Sequence, residues 1–354
     1  MAYTTIDDPS AYFQVDLYTG TGSSLANTFD GNSDMQPDWV WIKERNGAAD
    51  HALYDSSRGV QEQLESNTTT AETTEATGLT AFGSDGFTVG ALAQVNTSSD
   101  TYVAWAWKAN AGTTASNTDG TITSTVQANT DAGFSIVQYT GTGTAATIGH
   151  GLGVAPAMYI VKNRDQVGTN WTVFHKNLTS NAYSLYLNDA TAQSNAVGYW
   201  NGTSPTSTVF SIKNTSGDVN TNTEDYVVYC FAEKQGYSKF SSYFGNGVAN
   251  NGPFVYLGFK PRFIMIKSTT ATGSHVIWDS KRSPFNGMDD YLVAAEADAE
   301  GTNGIFTIDA VSNGFKIMNT GANNGLNQSG TKYVYYAFAE NPFTTSTGIP
   351  ATAR

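Results

Sequence analysis

The sequence predicts an all-β protein of three tandem antiparallel β-sandwich domains, of a jelly-roll or lectin-like kind. Three observations carry that reading: a composition suited to strands and tight turns, landmarks that recur three times at near-constant spacing, and strands apolar on both faces.

Charged residues make up 14% of the 354-residue chain, against roughly 25% in an ordinary soluble domain. Aromatics reach 12%, with 19 Tyr, 18 Phe and 7 Trp, which argues for packed cores rather than disorder. Thr and aromatic residues suit pleated surfaces, while Gly and Asn tolerate left-handed turns. The length exceeds one comfortable core and suits two or three domains. A net charge of −13 sets the chain against phosphate backbones, so nucleic acid is excluded as a partner. No run of about 20 apolar residues offers membrane insertion. The opening MAYTTIDDPSAYF has neither the basic start nor the apolar core of a secretory leader. Cys230 is the single cysteine, which excludes an intrachain disulfide and a Cys-rich metal site.

Self-similarity organises the rest. A strand opening into a glycine turn recurs as Tyr18-Thr19-Gly20, Tyr139-Thr140-Gly141 and Tyr243-Phe244-Gly245. Next comes a proline and an apolar run ending in lysine: PDWVWIK (37–43), PAMYIVK (156–162) and PRFIMIK (261–267). An aromatic strand follows: YVAWAWKA from Tyr102, YVVYCFAE from Tyr226 and YVYYAFAE from Tyr333. Proline and tyrosine stand 65, 70 and 72 residues apart. Between them, LYDSSRG (53–59) matches IWDSKRS (277–283), with VFHKNLT in the middle copy; SDGFTVG (84–90) matches SNGFKIM (312–318). The apolar stretches are four to eight residues long and bounded by Gly, Asn, Asp or Pro, which is strand length.

These landmarks place repeats at 12–109, 134–237 and 238–340. A Thr-rich linker without aromatic or basic residues covers 110–133, and tails cover 1–11 and 341–354. The segment 61–82 reads as a surface loop. In YVVYCFAE, alternation puts Tyr226, Val228 and Cys230 on one face and Val227, Tyr229 and Phe231 on the other. Both faces are apolar, so each needs a cover: a loop, another copy or another subunit. That expectation points to a homo-oligomer.

Catalytic chemistry finds no pattern to rest on. Asp55–Arg58 and Asp279–Arg282 share a DSxR context and read either as ligand-contacting pairs or, better, as local turn-stabilising ion pairs. His51 and His275 each stand four residues before those aspartates, and His150 and His175 are scattered; one His with one Asp is not a zinc site. Cys230 aligns with Ala106 and Ala337 and reads as an inert core residue. Lys43, Lys162 and Lys267 read as rim lysines, paired with carboxylates such as Asp100 and Asp225 or facing solvent at a strand end. Among the tryptophans, Trp200 and Trp278 are candidate sugar-stacking residues, although core duty is the stronger reading for such positions. No cofactor is implied.

The combination of glycine turn, proline-to-lysine strand, DSxRG, SDGFxxG and YVAWxWKA resembles a β-rich domain family common in tailed bacteriophages of marine bacteria and cyanobacteria. Repeat 1 carries the pattern most fully, at 37–43, 55–59, 84–90 and 102–109. Repeat 2 departs at DSxRG, reading His175-Lys176-Asn177-Leu178, and repeat 3 has Ser283 for its glycine and Asn313 for Asp. The resemblance implies a non-enzymatic virion structural protein, a surface appendage or tail-fibre component contacting the host. A capsid decoration protein and a carbohydrate-binding module protein are the alternatives. Its implied partners are other virion proteins, with a host-surface glycan as candidate ligand.

Overall fold

The computed structural model describes residues 2–214, 216–302, 304–319 and 325–352. Its regular structure is antiparallel strand, apart from one α-helical turn (Ala93–Asn96) and one 3-10 turn (Pro9–Ala11) among the described residues.

The recurring landmarks become neighbouring strands, in the same order each time. An opening strand (Phe13–Thr19, Phe134–Thr140, Ser238–Phe244) pairs with a tyrosine strand (Thr101–Trp107, Asp225–Phe231, Lys332–Pro342). The other edge of the tyrosine strand pairs with a lysine strand (Trp39–Glu44, Met158–Asn163, Phe259–Ser268). Beyond it lies a fourth strand ending at the DSxR position (Ala52–Asp55, Thr172–His175, Val276–Asp279). Pro37, Pro156 and Pro261 each stand two residues before the residue that faces Trp107, Phe231 or Phe338. They occupy one structural position.

A smaller sheet accompanies each large one. The SDGF-type segments Gly86–Val89, Val209–Ile212 and Gly314–Ile317 pair with Leu25–Thr28, Ala146–Gly149 and Phe254–Tyr256. The segment 61–82, expected as loop, contributes the short strands Glu62–Gln63 and Thr73–Thr74 and most of a third (Leu79–Gly83).

The glycine turn follows from close approach. A Cβ on Gly20, Gly141 or Gly245 would stand 2.1–2.3 Å from a carbonyl oxygen of Thr97, Thr221 or Gln328, so only glycine fits. Beside it, Tyr18 stacks on Tyr102, Tyr139 on Tyr226 and Tyr243 on Tyr333, with centroids 5.0–5.1 Å apart. A buried asparagine six residues before each of those second tyrosines (Asn96, Asn220, Asn327) accepts the N–H of Thr21, Thr142 or Asn246.

Alternation in the tyrosine strand divides the core. Tyr102, Ala104 and Ala106 pack with Phe87 and Val89 of the small sheet in repeat 1; Tyr226, Val228 and Cys230 pack with Phe210 and Ile212 in repeat 2. The opposite face points into a central core built from all three repeats. There the equivalent residues Trp107, Phe231 and Phe338 form a triangle, with centroids 5.6, 5.8 and 6.4 Å apart. Beside the separate clusters of repeats 1 and 2, the largest hydrophobic cluster runs through all three repeats. Covers for both apolar faces lie within one chain, so the inference of a homo-oligomer loses its premise.

The linker is structured as well. Ser124–Asn129 pairs with Phe134–Thr140 and, with Ala115–Asn117, extends the repeat 2 sheet to seven strands. Both tails dock on the body and on each other: Ile6 is buried, Thr4 Oγ1 donates to Gln235 O, Phe343 N donates to Gly258 O, and Ser346 binds the Asp7 carboxylate.

Candidate functional site: the seams between repeats

The DSxR turn is built locally first. Asp55 Oδ1 accepts the N–H groups of Ser57 and Arg58 at 3.0 and 2.9 Å, and Oδ2 accepts Arg58 Nε at 2.5 Å. Asp279 does the same with Lys281, Arg282 and Arg282 Nε. The turn-stabilising pair read from sequence is present, but both pairs are fully buried and do more than close a turn.

Each pair meets a neighbouring repeat. Tyr229 of repeat 2 donates its hydroxyl to Asp55 Oδ2 at 2.7 Å, and Trp105 of repeat 1 donates Nε1 to Asp279 Oδ2 at 3.0 Å. Tyr229 and Trp105 hold equivalent places in their tyrosine strands. Arg58 passes on to Glu72, which also receives Arg164 of repeat 2 at 2.6 Å. Arg282 passes on to Glu300, which receives Arg45 of repeat 1 at 2.8 Å. Repeat 2 thus locks onto repeat 1, and repeat 1 onto repeat 3, by one geometry.

The third seam closes the cycle without an Asp–Arg pair; the charges that cross it, Lys267 and Lys332 of repeat 3, meet backbone carbonyls of repeat 2. His175 takes the aspartate position and meets Tyr336 of repeat 3, the equivalent of Tyr229, with ring centroids 5.3 Å apart. Leu178 stands for the arginine, Gln193 for the glutamate and Thr269 for Arg164. One backbone bond is common to all three seams: Glu72 N to Arg164 O, Gln193 N to Thr269 O and Glu300 N to Arg45 O, at 2.7–2.9 Å.

The electrostatics follow from burial and pairing. Burial works against the Arg58 and Arg282 cations, yet the adjoining carboxylates outweigh it and hold both above the ordinary arginine range. Burial raises the Glu72 carboxyl, but hydrogen bonds from Arg164 and Arg58 prevail and hold it below its ordinary value. The Asp55, Arg58 and Glu72 side chains direct their hydrogen bonds at one another and at the neighbouring repeat.

The remaining sequence candidates are also internal. Trp200 and Trp278 are fully buried and donate Nε1 to Tyr183 O and Phe306 O, each at 3.1 Å. All four histidines are buried, and no group of three or more metal-ligating side chains occurs among the described residues. Burial pushes the Cys230 thiol up, away from reactivity. The lysines are corrected outright. Lys43, Lys162 and Lys267 are buried and donate to backbone carbonyls: Glu44 and Gly47; Thr169; Ala190, Thr191 and Gly273. Burial pushes all three down to about 8.

Sequence reasoning missed Glu72, Glu300, Arg45 and Arg164, because their partners are remote in the chain. It also missed Asn96, Asn220 and Asn327, whose constant six-residue spacing was a usable signal.

On the surface, two grooves of about 410 and 280 Å³ share a wall at Glu233 and Lys234, where repeat 2 runs into repeat 3. Lys176 pairs with Glu233 at 2.6 Å on one side. On the other, Lys239 Nζ stands 5.1 Å above the Tyr256 ring.

Residues 8–342 match the model of a family described as a domain of unknown function (DUF7483), and the chain belongs to that family. A single match runs through all three repeats. No curated protein and no solved structure matches the chain.

Proposed function

We propose that the chain is a structural protein of a bacteriophage virion, a surface appendage or tail-fibre component that contacts the host, and that it works as a scaffold rather than a catalyst. In this reading each large sheet and its small partner form one β-sandwich unit of jelly-roll or lectin-like kind, and three units make one block. The observation that carries it is the closed cycle of seams, in which buried Asp, Arg and Glu side chains bind repeat to repeat. A chain that commits its ionisable groups to internal locks gains stiffness and presents its loops on a fixed support. The family resemblance of the motifs supplies the setting.

A capsid decoration role has one observation in its favour. Three similar units around the Trp107–Phe231–Phe338 triangle suit a shell site of local three-fold symmetry. Labelling purified particles with antibody against the chain separates the readings: label on the tail is expected, label over the shell favours decoration, and particles free of the chain overturn both.

A further inference from the structure

The three repeats act as internal controls for one another, and one edge strand departs from the other two. At the position facing Gly86 in repeat 1 stands Thr28, and at the matching position in repeat 2 stands Gly149. Repeat 3 places Tyr256 there and Phe254 two residues earlier, where the others have Ala26 and Thr147. Both rings are 50% exposed. Residues i and i+2 of a strand share a face about 7 Å apart, so the two rings form a short aromatic ledge.

This ledge borders the junction grooves. Tyr256 lines the smaller one together with Glu233, Lys234 and Lys239; Glu233 and Lys234 also line the larger, with Lys176. Three lysines against one glutamate is a reversal of the chain's balance, which is 18 basic to 31 acidic residues. Lys176 is engaged by Glu233. Lys239 uses one donor on Tyr256 O and, like any ammonium, carries three. An exposed ring with flanking cations matches a ligand that has a flat apolar face and negative charge at its rim.

We propose that the ledge and the two grooves bind an acidic glycan, with Tyr256 stacking on a sugar ring and Lys234 and Lys239 pairing with its carboxylate or sulfate groups. The site concerns the isolated chain and does not depend on where the protein sits in a particle.

Affinity electrophoresis of the full chain in gels containing polygalacturonate, heparin, dextran or polyglutamate tests it. Retardation by polygalacturonate or heparin, relieved by salt, is expected. Tyr256→Ala should weaken it at least fivefold and Lys234→Glu with Lys239→Glu at least tenfold, whereas the repeat 1 control Thr28→Ala leaves it unchanged. Unaltered melting temperatures exclude misfolding as the cause. The proposal fails if neither acidic polysaccharide retards the chain, or if dextran does so equally. Equal retardation by polyglutamate reduces the site to a charge patch, and indifference to both Tyr256→Ala and the lysine pair places binding elsewhere.

Discussion

Two of the seams between repeats carry Asp–Arg–Glu ion pairs and the third has none, its crossing lysines meeting only backbone carbonyls, although all three share a backbone bond and an aromatic residue at the same strand position. The four side chains differ as a set. Asp55, Arg58, Glu72 and Arg164 in one seam correspond to Asp279, Arg282, Glu300 and Arg45 in the second, and to His175, Leu178, Gln193 and Thr269 in the third. Replacing one member alone would strand a buried charge, whereas replacing all four strands none of them. The comparison teaches that the seam's shape belongs to the backbone, and that charge is an alternative filling.

The largest effect should come from breaking that set singly. Arg58→Met leaves Asp55 and Glu72 with one cation fewer, and Arg282→Met does the same to Asp279 and Glu300; each should cost about 3–5 kcal/mol. Urea unfolding reads the loss. Exchanging Asp279, Arg282, Glu300 and Arg45 together for His, Leu, Gln and Thr should cost far less, within about 2 kcal/mol of the parent. Single losses below about 1 kcal/mol would mean that the ion pairs do not hold the seams.

Acid should separate the seams next. Burial pushes His175 down to about 3, while an unfolded histidine titrates near 6.5. Between those values the unfolded chain takes up a proton that the folded one refuses, so stability falls by up to about 1.4 kcal/mol per pH unit. Its stabilising neutral state is fully matched only above the unfolded value. Glu72 has the opposite history. Its carboxyl is depressed despite burial, so its contribution persists above about 4.5 and fades only as pH falls through the lower folded value. From pH 7 to 5, hydrogen exchange should therefore expose the Gln193 amide before the Glu72 amide. His51 and His275 share the histidine slope, so His175→Gln should flatten it in part.

A smaller contrast lies in the hydroxyls. Tyr229→Phe removes a hydrogen bond to the Asp55 carboxylate and should cost about 1.5–3 kcal/mol. Tyr336→Phe removes a neutral contact to His275 of its own repeat at 3.3 Å and should cost about 0.5–1.5 kcal/mol. Equal losses would show that the Asp55 charge adds nothing to the Tyr229 bond across the seam.

Much of this was readable before any coordinates. The glycine turns, the proline-to-lysine strands and the tyrosine strands became adjacent strands because their signal is local: a close approach at Gly20, Gly141 and Gly245, and alternation in Tyr226–Phe231. Apolar residues on both faces of the tyrosine strand correctly demanded two covers. That one cover is the rest of the same chain was not legible, since Trp107, Phe231 and Phe338 are more than 100 residues apart. The DSxR pair was legible as a turn, but its partners Tyr229 and Trp105 are 174 residues away. The lysines misled because a terminal lysine on an apolar strand normally reaches solvent; here loops fold over Lys43, Lys162 and Lys267 and offer carbonyls instead.

The smallest effect tests whether depth, rather than charge, makes a seam. Lys281 and Asp30 also join repeat 3 to repeat 1, but their side chains are 24% and 71% exposed. The hydrogen bond from Lys281 holds the Asp30 carboxyl below its ordinary value, with burial opposing it. Water and salt screen such a pair, so Asp30→Asn should cost no more than about 1 kcal/mol, and nothing measurable at 1 M salt. The loss from Arg282→Met should survive the same salt, because counterions do not reach Asp279 and Glu300 once they are enclosed. Matching salt dependence for the two variants would mean that the buried seams are ordinary surface pairs in solution, and the contrast with the seam that lacks ion pairs would lose its physical basis.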